Sequence, residues 1–215
     1  MKKHFSLAIL AVASLFAAAG ASAETITKAP DIGNYWQPLG NSGTRIYADS
    51  FIAPVTGTVT ELGLWLRGGP SDLKFQIYGS VGGLAANGPD SSTALVTSGI
   101  IAGQTLSDLT YVSATPVSSA TLTAGQTYWF AATGVGLSAI SSYNVGGHTQ
   151  NSGGIVDNGT FWYSNAADGL SFDGRGLTPE MAFQVTMTSA VPEPESIALV
   201  LAGLVVVAGV ARRRA

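Results

Sequence analysis

The sequence predicts an all-β protein in which two antiparallel sheets pack as a jelly-roll-like sandwich. Between residues 24 and 188, short runs rich in Val, Thr, Ile and aromatic residues alternate with clusters of Gly, Ser, Asn, Asp and Pro. This spacing is typical of sandwiches and barrels. No segment of the region shows a sustained helical period with caps at both ends. The chain has no cysteine, so core burial, with or without a bound ion, must stabilise the domain without disulfides.

The clearest strand covers residues 58–67. Alternation places Thr58, Thr60 and three leucines on one face, which we expect to line the core, and it leaves Trp65 on the opposite face. Residues 68–72 predict a hairpin connection to a second strand at 73–78, which would bring Tyr78 close to Trp65. Further strands are predicted at residues 45–52, 94–101, 119–122, 127–132, 139–143, 161–164 and 181–187, with an Asn-Gly turn at 158–159.

The first 23 residues predict a secretory signal peptide. Lys2 and Lys3 precede an apolar run over residues 5–19, and small residues follow it. A positive segment, an apolar segment and a small-residue cleavage site in this order are typical of export signals. We therefore expect cleavage at the site formed by Ala21 and Ala23, with residues 24–188 as the exported domain.

The C-terminal end predicts a membrane anchor. A Pro-rich linker over residues 189–196 leads into an apolar run at 197–211 and a basic end at 212–215. As a transmembrane helix the run would extend about 22 Å, short of the ~30 Å hydrocarbon core. Local bilayer thinning and snorkelling of the arginines accommodate such a mismatch. The basic end should stay cytoplasmic, which leaves the domain outside the inner membrane.

The same tail resembles a bacterial sorting signal. The residues that carry the resemblance flank the apolar run and are Val191, Pro192, Glu193, Pro194, Arg212, Arg213 and Arg214. Together they are similar to the PEP-CTERM signal of Gram-negative bacteria, a tail also labelled an ice-binding protein C-terminal domain without implying ice binding. The resemblance implies recognition and cleavage by an exosortase, transient residence in the inner membrane, and delivery to the cell surface or an exopolysaccharide matrix. An ordinary C-terminal anchor is the alternative.

Charge and residue content limit the activities open to the domain. Residues 24–190 contain eleven acidic and five basic side chains, a net charge of about −6, which argues against a nucleic-acid partner. His148 is the one histidine left after signal cleavage, so neither a Ser-His-Asp triad nor a zinc site is expected. Glu61 and Glu180 could serve glycoside hydrolysis, but neither lies in a recognisable motif. We expect no enzymatic activity and no cofactor.

Two ligand classes remain as hypotheses. Asp157, Asp168 and Asp173 lie in Gly-rich loops and offer oxygen ligands for calcium, although turn formation is the more ordinary reason for such aspartates. Trp65, with Tyr78 as its neighbour, could stack against sugar rings, although strand aromatics usually pack internally. The sequence thus predicts a non-enzymatic structural or adhesive surface protein, with a carbohydrate-binding module for exopolysaccharide as the alternative and a polysaccharide-acting enzyme third.

Overall fold

The structure, a computed structural model, divides the chain into two units. Residues 23–188 form one of them, and residues 1–22 together with 189–215 form the other. The residues that the structure describes are 22–30, 36–39, 43–83, 88–90, 93–140, 142–148, 160–164, 172, 174–177, 180–189 and 203–204.

The described part of the chain is built from β-strands. In chain order they are β1 Ala23–Thr27, β2 Trp36–Pro38, β3 Ile46–Ile52, β4 Gly57–Gly68, β5 Leu73–Tyr78, β6 Val96–Ser98, β7 Leu106–Ala114, β8 Pro116–Ser119, β9 Thr121–Leu122, β10 Thr127–Gly134, β11 Tyr143–His148, β12 Thr160–Ser164, β13 Gly174–Leu177, β14 Glu180–Met181 and β15 Phe183–Ser189. Two short 3-10 turns, Val81–Gly83 and Val135–Leu137, follow β5 and β10.

The strands form two antiparallel sheets. Sheet 1 has the order β1-β15-β4-β11-β14, with β2 added to β11 and with β7 and β9 added to β4. Sheet 2 has the order β13-β12-β3-β10-β5-β6-β8. The all-β class and the two antiparallel sheets are therefore confirmed, whereas jelly-roll connectivity stays a prediction.

The main core lies between the inner faces of the two sheets. Leu62, Leu64 and Leu66 of β4 are fully buried in it. Across the core, Phe130 of β10 stacks on Phe183 of β15 with ring centroids 4.9 Å apart and ring planes 7° apart. Burying a large apolar side chain stabilises a fold by about 1.5–3 kcal/mol, so contacts of this kind hold the sheets together.

The alternation along β4 changes phase near its middle. Val59 is 4% exposed, whereas Thr58 and Thr60 point outward. The prediction that these threonines face the core was wrong, while the leucine face is confirmed. The strand pairs with β9 at its start and with β7 only from Leu62 onward. Thr60 lies in β4 between the residues paired with β9 and those paired with β7, and its hydroxyl donates a hydrogen bond to the Thr186 carbonyl at 3.3 Å. The outward-facing threonine therefore has a hydrogen-bond partner at the surface, while Val59 is buried.

Residues 68–72 do not form a hairpin. They join β4 in sheet 1 to β5 in sheet 2, and in this arrangement the apolar faces of the two strands are buried in the same core from opposite sides. Gly68 and Gly69 take positive φ values of 82° and 72°. A side chain at Gly69 would also collide with the ring of Tyr143. The predicted hairpin was therefore wrong.

Several other predicted strands need correction. Of the described residues in the predicted strand 139–143, only Tyr143 belongs to a strand, since β11 begins there and runs to His148. The predicted run 94–101 narrows to the three residues of β6, and 119–122 divides between β8 and β9. The strands β1, β2, β7 and β13 were not predicted. The Asn-Gly turn at 158–159 lies outside the described residues.

The membrane and export segments lie mostly outside the part of the chain that the structure describes. Of the predicted transmembrane helix at 197–211 only residues 203 and 204 are described, and they are helical. Among the described residues there is no helix with the length and apolar character needed to cross a bilayer. Residues 1–21 of the predicted signal peptide are also outside this set.

Candidate functional site

Trp65 lies on the outward face of sheet 1. Side chains alternate along a strand, so Glu61, Gly63, Trp65 and Arg67 form one outward row opposite the buried leucines. In the antiparallel pair of β4 and β7, Trp65 is directly opposite Tyr111. Directly opposed residues share a face and interact, and both rings are half-buried. Trp65 therefore points outward as predicted, and the pairing of β4 with β7 places a second aromatic residue, Tyr111, beside it.

Tyr111 connects the tryptophan to the carboxylate of the same row. Its ring centroid is 4.7 Å from that of Trp65, with the planes tilted by 48°. The phenol group then extends along β4 and donates a hydrogen bond to Glu61 Oε1 at 3.1 Å. One tyrosine thus contacts an aromatic ring at one end and an acidic group at the other.

Gly63 makes this arrangement sterically feasible. A Cβ atom at this position would collide with the ring end of Tyr111, including its hydroxyl oxygen. The missing side chain therefore lets the tyrosine ring lie across β4 between Trp65 and Glu61. We refer to Glu61, Gly63, Trp65 and Tyr111 as the β4–β7 aromatic surface.

The electrostatics of this surface keep the tyrosine protonated. Partial burial of its hydroxyl raises the pKa of Tyr111 well above the usual 10.0, and the negative charge of Glu61 and the hydrogen bond to it raise that pKa further. The phenol is therefore a donor at neutral pH. Glu61 Oε2 makes no hydrogen bond within the part of the chain described. The surface thus combines an indole face, a phenol ring and a carboxylate oxygen able to accept a hydrogen bond from a ligand.

Tyr78 lies on a different sheet from Trp65. It ends β5 in sheet 2, is 6% exposed and belongs to a second apolar cluster that includes Trp129 and Ile46. Its hydroxyl donates to Gln76 Oε1 at 3.1 Å, and its ring meets the Phe172 ring edge-on at 5.8 Å. The prediction that Tyr78 neighbours Trp65 was wrong, because it depended on the hairpin between β4 and β5.

The structure places the remaining ligand and catalytic candidates only in part. His148 of β11 is paired in register with Glu180 of β14. The calcium candidates Asp157, Asp168 and Asp173 lie outside the described residues. Within the described ranges, no three His, Cys, Asp or Glu residues lie close enough together to hold a metal ion.

The processing residues fall largely outside the described set as well. Ala23 is described and begins β1, where it pairs with Thr188 of β15. Ala21, the residues from Val191 to Pro194 and the arginines from Arg212 to Arg214 are not described, so their predicted roles in signal cleavage and sorting stay predictions.

Sequence reasoning missed Tyr111 because it missed the strand β7. In this segment Leu109, Tyr111 and Ser113 alternate with Thr110, Val112 and Ala114. Period-two alternation with Thr, Tyr and Val is a strand signal, and it would have placed an aromatic residue on a strand of unknown pairing. The register that sets Tyr111 against Trp65 could not be read from the sequence.

This chain is similar to known proteins in two respects, a distant likeness to one solved structure and a match of its tail to a family model. Among solved structures, the chain is similar to the cysteine protease and lectin-like domains of Cwp84, a surface layer associated protein of Clostridium difficile, at 13% identity and a TM-score of 0.40. The match covers 75% of this chain and only 37% of that one. No curated protein matches. Residues 190–215 match the PEP-CTERM protein-sorting motif, which confirms the resemblance noted in the sequence. The chain therefore carries a PEP-CTERM motif, which implies an exosortase-sorted protein exported to the membrane or cell surface.

Proposed function

We propose that this protein is a non-enzymatic component of the cell surface or extracellular matrix, with a structural or adhesive role. The observation that carries the proposal is the sorting motif at residues 190–215, attached to a domain built from two antiparallel sheets. The signal peptide exports the chain, and the helix at 197–211 holds it transiently in the inner membrane. An exosortase then cleaves near Pro192–Pro194 and delivers the domain to its destination.

A structural role fits the features of the domain. Its large core is formed by two sheets that share stacked aromatic rings. The best-placed carboxylate on the outward face of sheet 1, Glu61, accepts a hydrogen bond from Tyr111. A glycoside hydrolase requires two carboxyl groups on opposite sides of a sugar. Glu61 is instead hydrogen-bonded to Tyr111, whose ring packs on Trp65, and such aromatic rings are suited to binding a ligand by stacking.

Carbohydrate binding is the second candidate function, and the β4–β7 aromatic surface favours it. Sugar rings stack on aromatic faces through their C–H groups while their hydroxyl groups bond to nearby polar atoms. Trp65 would provide the stacking face and Glu61 Oε2 the acceptor. The bound polymer would be the exopolysaccharide of the matrix in which the sorted protein resides.

Retention on exopolysaccharide tests this second candidate. We expect the purified, processed protein to be retained on a column of the host's exopolysaccharide. We expect Trp65→Ala to abolish retention while the domain stays folded, with only the modest decrease in melting temperature that loss of the contact with Tyr111 causes. Val117→Ala is the matched control, because Val117 is 74% exposed on β8 of the other sheet. If wild type and Trp65→Ala elute together, the surface does not bind the polymer, and release of soluble sugars during incubation would instead indicate an enzyme.

Fractionation tests the first candidate. In a host that has its exosortase, the protein should be found at the surface or in the matrix, and in an exosortase deletion it should remain in the membrane fraction. Loss of matrix cohesion on deletion of the protein, without any change in polysaccharide length, would support a structural role. Unchanged cohesion and unchanged localisation would contradict it.

A further inference from the structure

An ion pair lies buried between the two sheets. Lys28, which follows β1, is 1% exposed, and its Nζ donates to the Ser50 carbonyl at 3.0 Å. The same nitrogen is 3.7 Å from Asp49 Oδ1 and 5.2 Å from the centre of the Phe183 ring. Asp49 itself is fully buried in β3. The pair thus brings an amine and a carboxyl group together in an apolar interior.

The carboxyl group of Asp49 is held by the main chain on both oxygens. Oδ1 accepts a hydrogen bond from the Ser50 N–H at 2.7 Å, and Oδ2 accepts one from the Met181 N–H at 2.8 Å. Such fixed donors polarise a carbonyl carbon and stabilise negative charge that develops on its oxygen during attack by a nucleophile.

Burial raises the free energy of both charged forms, whereas the main-chain donors to Asp49 and the attraction between the two ions lower it. Burying an ion pair costs several kcal/mol for each ion, and the mutual attraction often fails to offset this cost. Transfer of one proton from the ammonium to the carboxylate converts the pair into a neutral amine and a neutral acid, which an apolar interior accepts more readily. A neutral amine is a nucleophile, and the fixed geometry replaces an encounter in solution.

We propose that Lys28 and Asp49 condense to an intramolecular amide bond. The Lys28 Nζ attacks Cγ of Asp49, a C–N bond forms, and one C–O bond breaks. Two of the three ammonium protons leave with that oxygen as water, and the third stays on the amide nitrogen, so the reaction needs no oxidant or other co-reactant. The remaining oxygen becomes the amide carbonyl and keeps a main-chain N–H donor.

The cross-link would tie sheet 1 to sheet 2 covalently. Lys28 continues from β1, which pairs with β15 in sheet 1, whereas Asp49 belongs to β3 in sheet 2. In a chain without cysteine, this bond would restrict the unfolded state as a disulfide does, and reducing agents would not cleave it. This inference does not depend on glycan binding.

Mass spectrometry of the exported protein under denaturing conditions tests the proposal. We expect the intact mass to be lower than that of the mature sequence by one water molecule. Trypsin should then leave the bond after Lys28 uncut, because its side chain is an amide, and the peptide ending at Arg45 should be joined to the peptide 46–67. Lys28→Arg should restore the full mass, while Lys74→Arg, the control on β5, should retain the loss of water.

Two results would overturn the cross-link. One is an intact mass equal to that of the sequence, with the peptide 46–67 recovered unmodified. The other is a loss of water that maps to Asp168-Gly169 or Asp173-Gly174, where an aspartate before glycine can form a succinimide. Because both outcomes are read from the wild-type chain, they decide the question even if Lys28→Arg does not fold.

Discussion

Replacing Gly63 by alanine should displace the Tyr111 ring, which lies over this glycine, and so perturb the β4–β7 aromatic surface. The new Cβ atom would collide with the end of the ring. This end belongs to a side chain that can rotate, so the ring should move away while the strand pairing of β4 and β7 is kept. Displacement removes the hydrogen bond to Glu61 and the contact with Trp65.

The magnitude follows from these two contacts. A hydrogen bond contributes about 0.5–1.5 kcal/mol net, and an aromatic pair contributes about 0.5–1.5 kcal/mol beyond its buried area. Alanine also removes the entropic disadvantage of glycine in a strand, about 0.5–1 kcal/mol. Gly63→Ala should therefore lower the free energy of unfolding by about 1 kcal/mol, within a range of about 0–2.5 kcal/mol. For a domain of this size the central value corresponds to a decrease in Tm of about 2–4 °C.

Thermal unfolding followed by circular dichroism measures this effect, and Gly99→Ala provides the control. A Cβ atom at Gly99 would meet only Val117, at an ordinary contact distance of 3.8 Å, so this variant should melt at or slightly above the wild-type temperature. If Gly63→Ala melts at the wild-type temperature or above it, the Tyr111 ring does not lie across Gly63, and the proposed surface is not formed as described.

The remaining predictions concern stability, pH and the buried pair. Tyr111→Phe removes only the hydrogen bond and should lower the free energy of unfolding by about 1 kcal/mol. The pKa of the Tyr111 phenol is raised in the folded state, so above pH 10.0 the unfolded chain loses the phenol proton before the folded chain does. The free energy of unfolding of the wild type, measured by urea unfolding at several pH values, should therefore fall more steeply above pH 10.0 than that of Tyr111→Phe. An equal pH dependence of the two proteins would contradict this. Phe130→Ala removes a stacked core ring and should cost about 3–5 kcal/mol in the same assay, so a cost under 1 kcal/mol would contradict the core assignment. Lys28→Met and Asp49→Ala each remove one partner of the buried pair and should each cost at least about 3–5 kcal/mol, to which loss of the cross-link adds equally. The cost of Asp49→Ala should be the larger because it also removes the acceptor of two main-chain N–H groups; the reverse order would be inconsistent with this geometry. Both variants lose the cross-link, so the order does not depend on it.

Local patterns in the sequence predicted the class of fold and the faces of single strands. The leucines of β4 and the outward position of Trp65 followed from period-two alternation. The phase change at Val59 could not be predicted, because it depends on where β4 exchanges β9 for β7 as its partner. The two antiparallel sheets were predicted from the number of expected strands, whereas the order in which the strands pair could not be predicted.

Long-range pairing determined which candidate residues meet. A glycine-rich connection between two amphipathic strands fits a hairpin or a crossing between sheets equally well, since either one buries both apolar faces, and here the connection crosses between the sheets. For that reason Tyr78 was placed beside Trp65 wrongly, and Tyr111 was overlooked. The buried contact between Lys28 and Asp49 likewise carries no local signal, since the sequence around each residue is equally compatible with a charge at the surface.

The C-terminal signal could be predicted because it is read as a linear segment. Its Pro-Glu-Pro sequence, apolar run and basic end lie in fixed order within residues 190–215, and recognition of such a segment does not require a folded domain. The role of the domain itself depends on surfaces assembled from distant strands, and sequence patterns alone could not define them.

Mass spectrometry of the mature C-terminus, in hosts with and without the exosortase, tests the central claim most directly. We expect the chain from the complete host to end near Pro192–Pro194 and to lack the apolar run 197–211. In the deletion host the chain should extend to Ala215 and remain with the membrane. Recovery of chains ending at Ala215 from the surface of both hosts would contradict sorting by this motif.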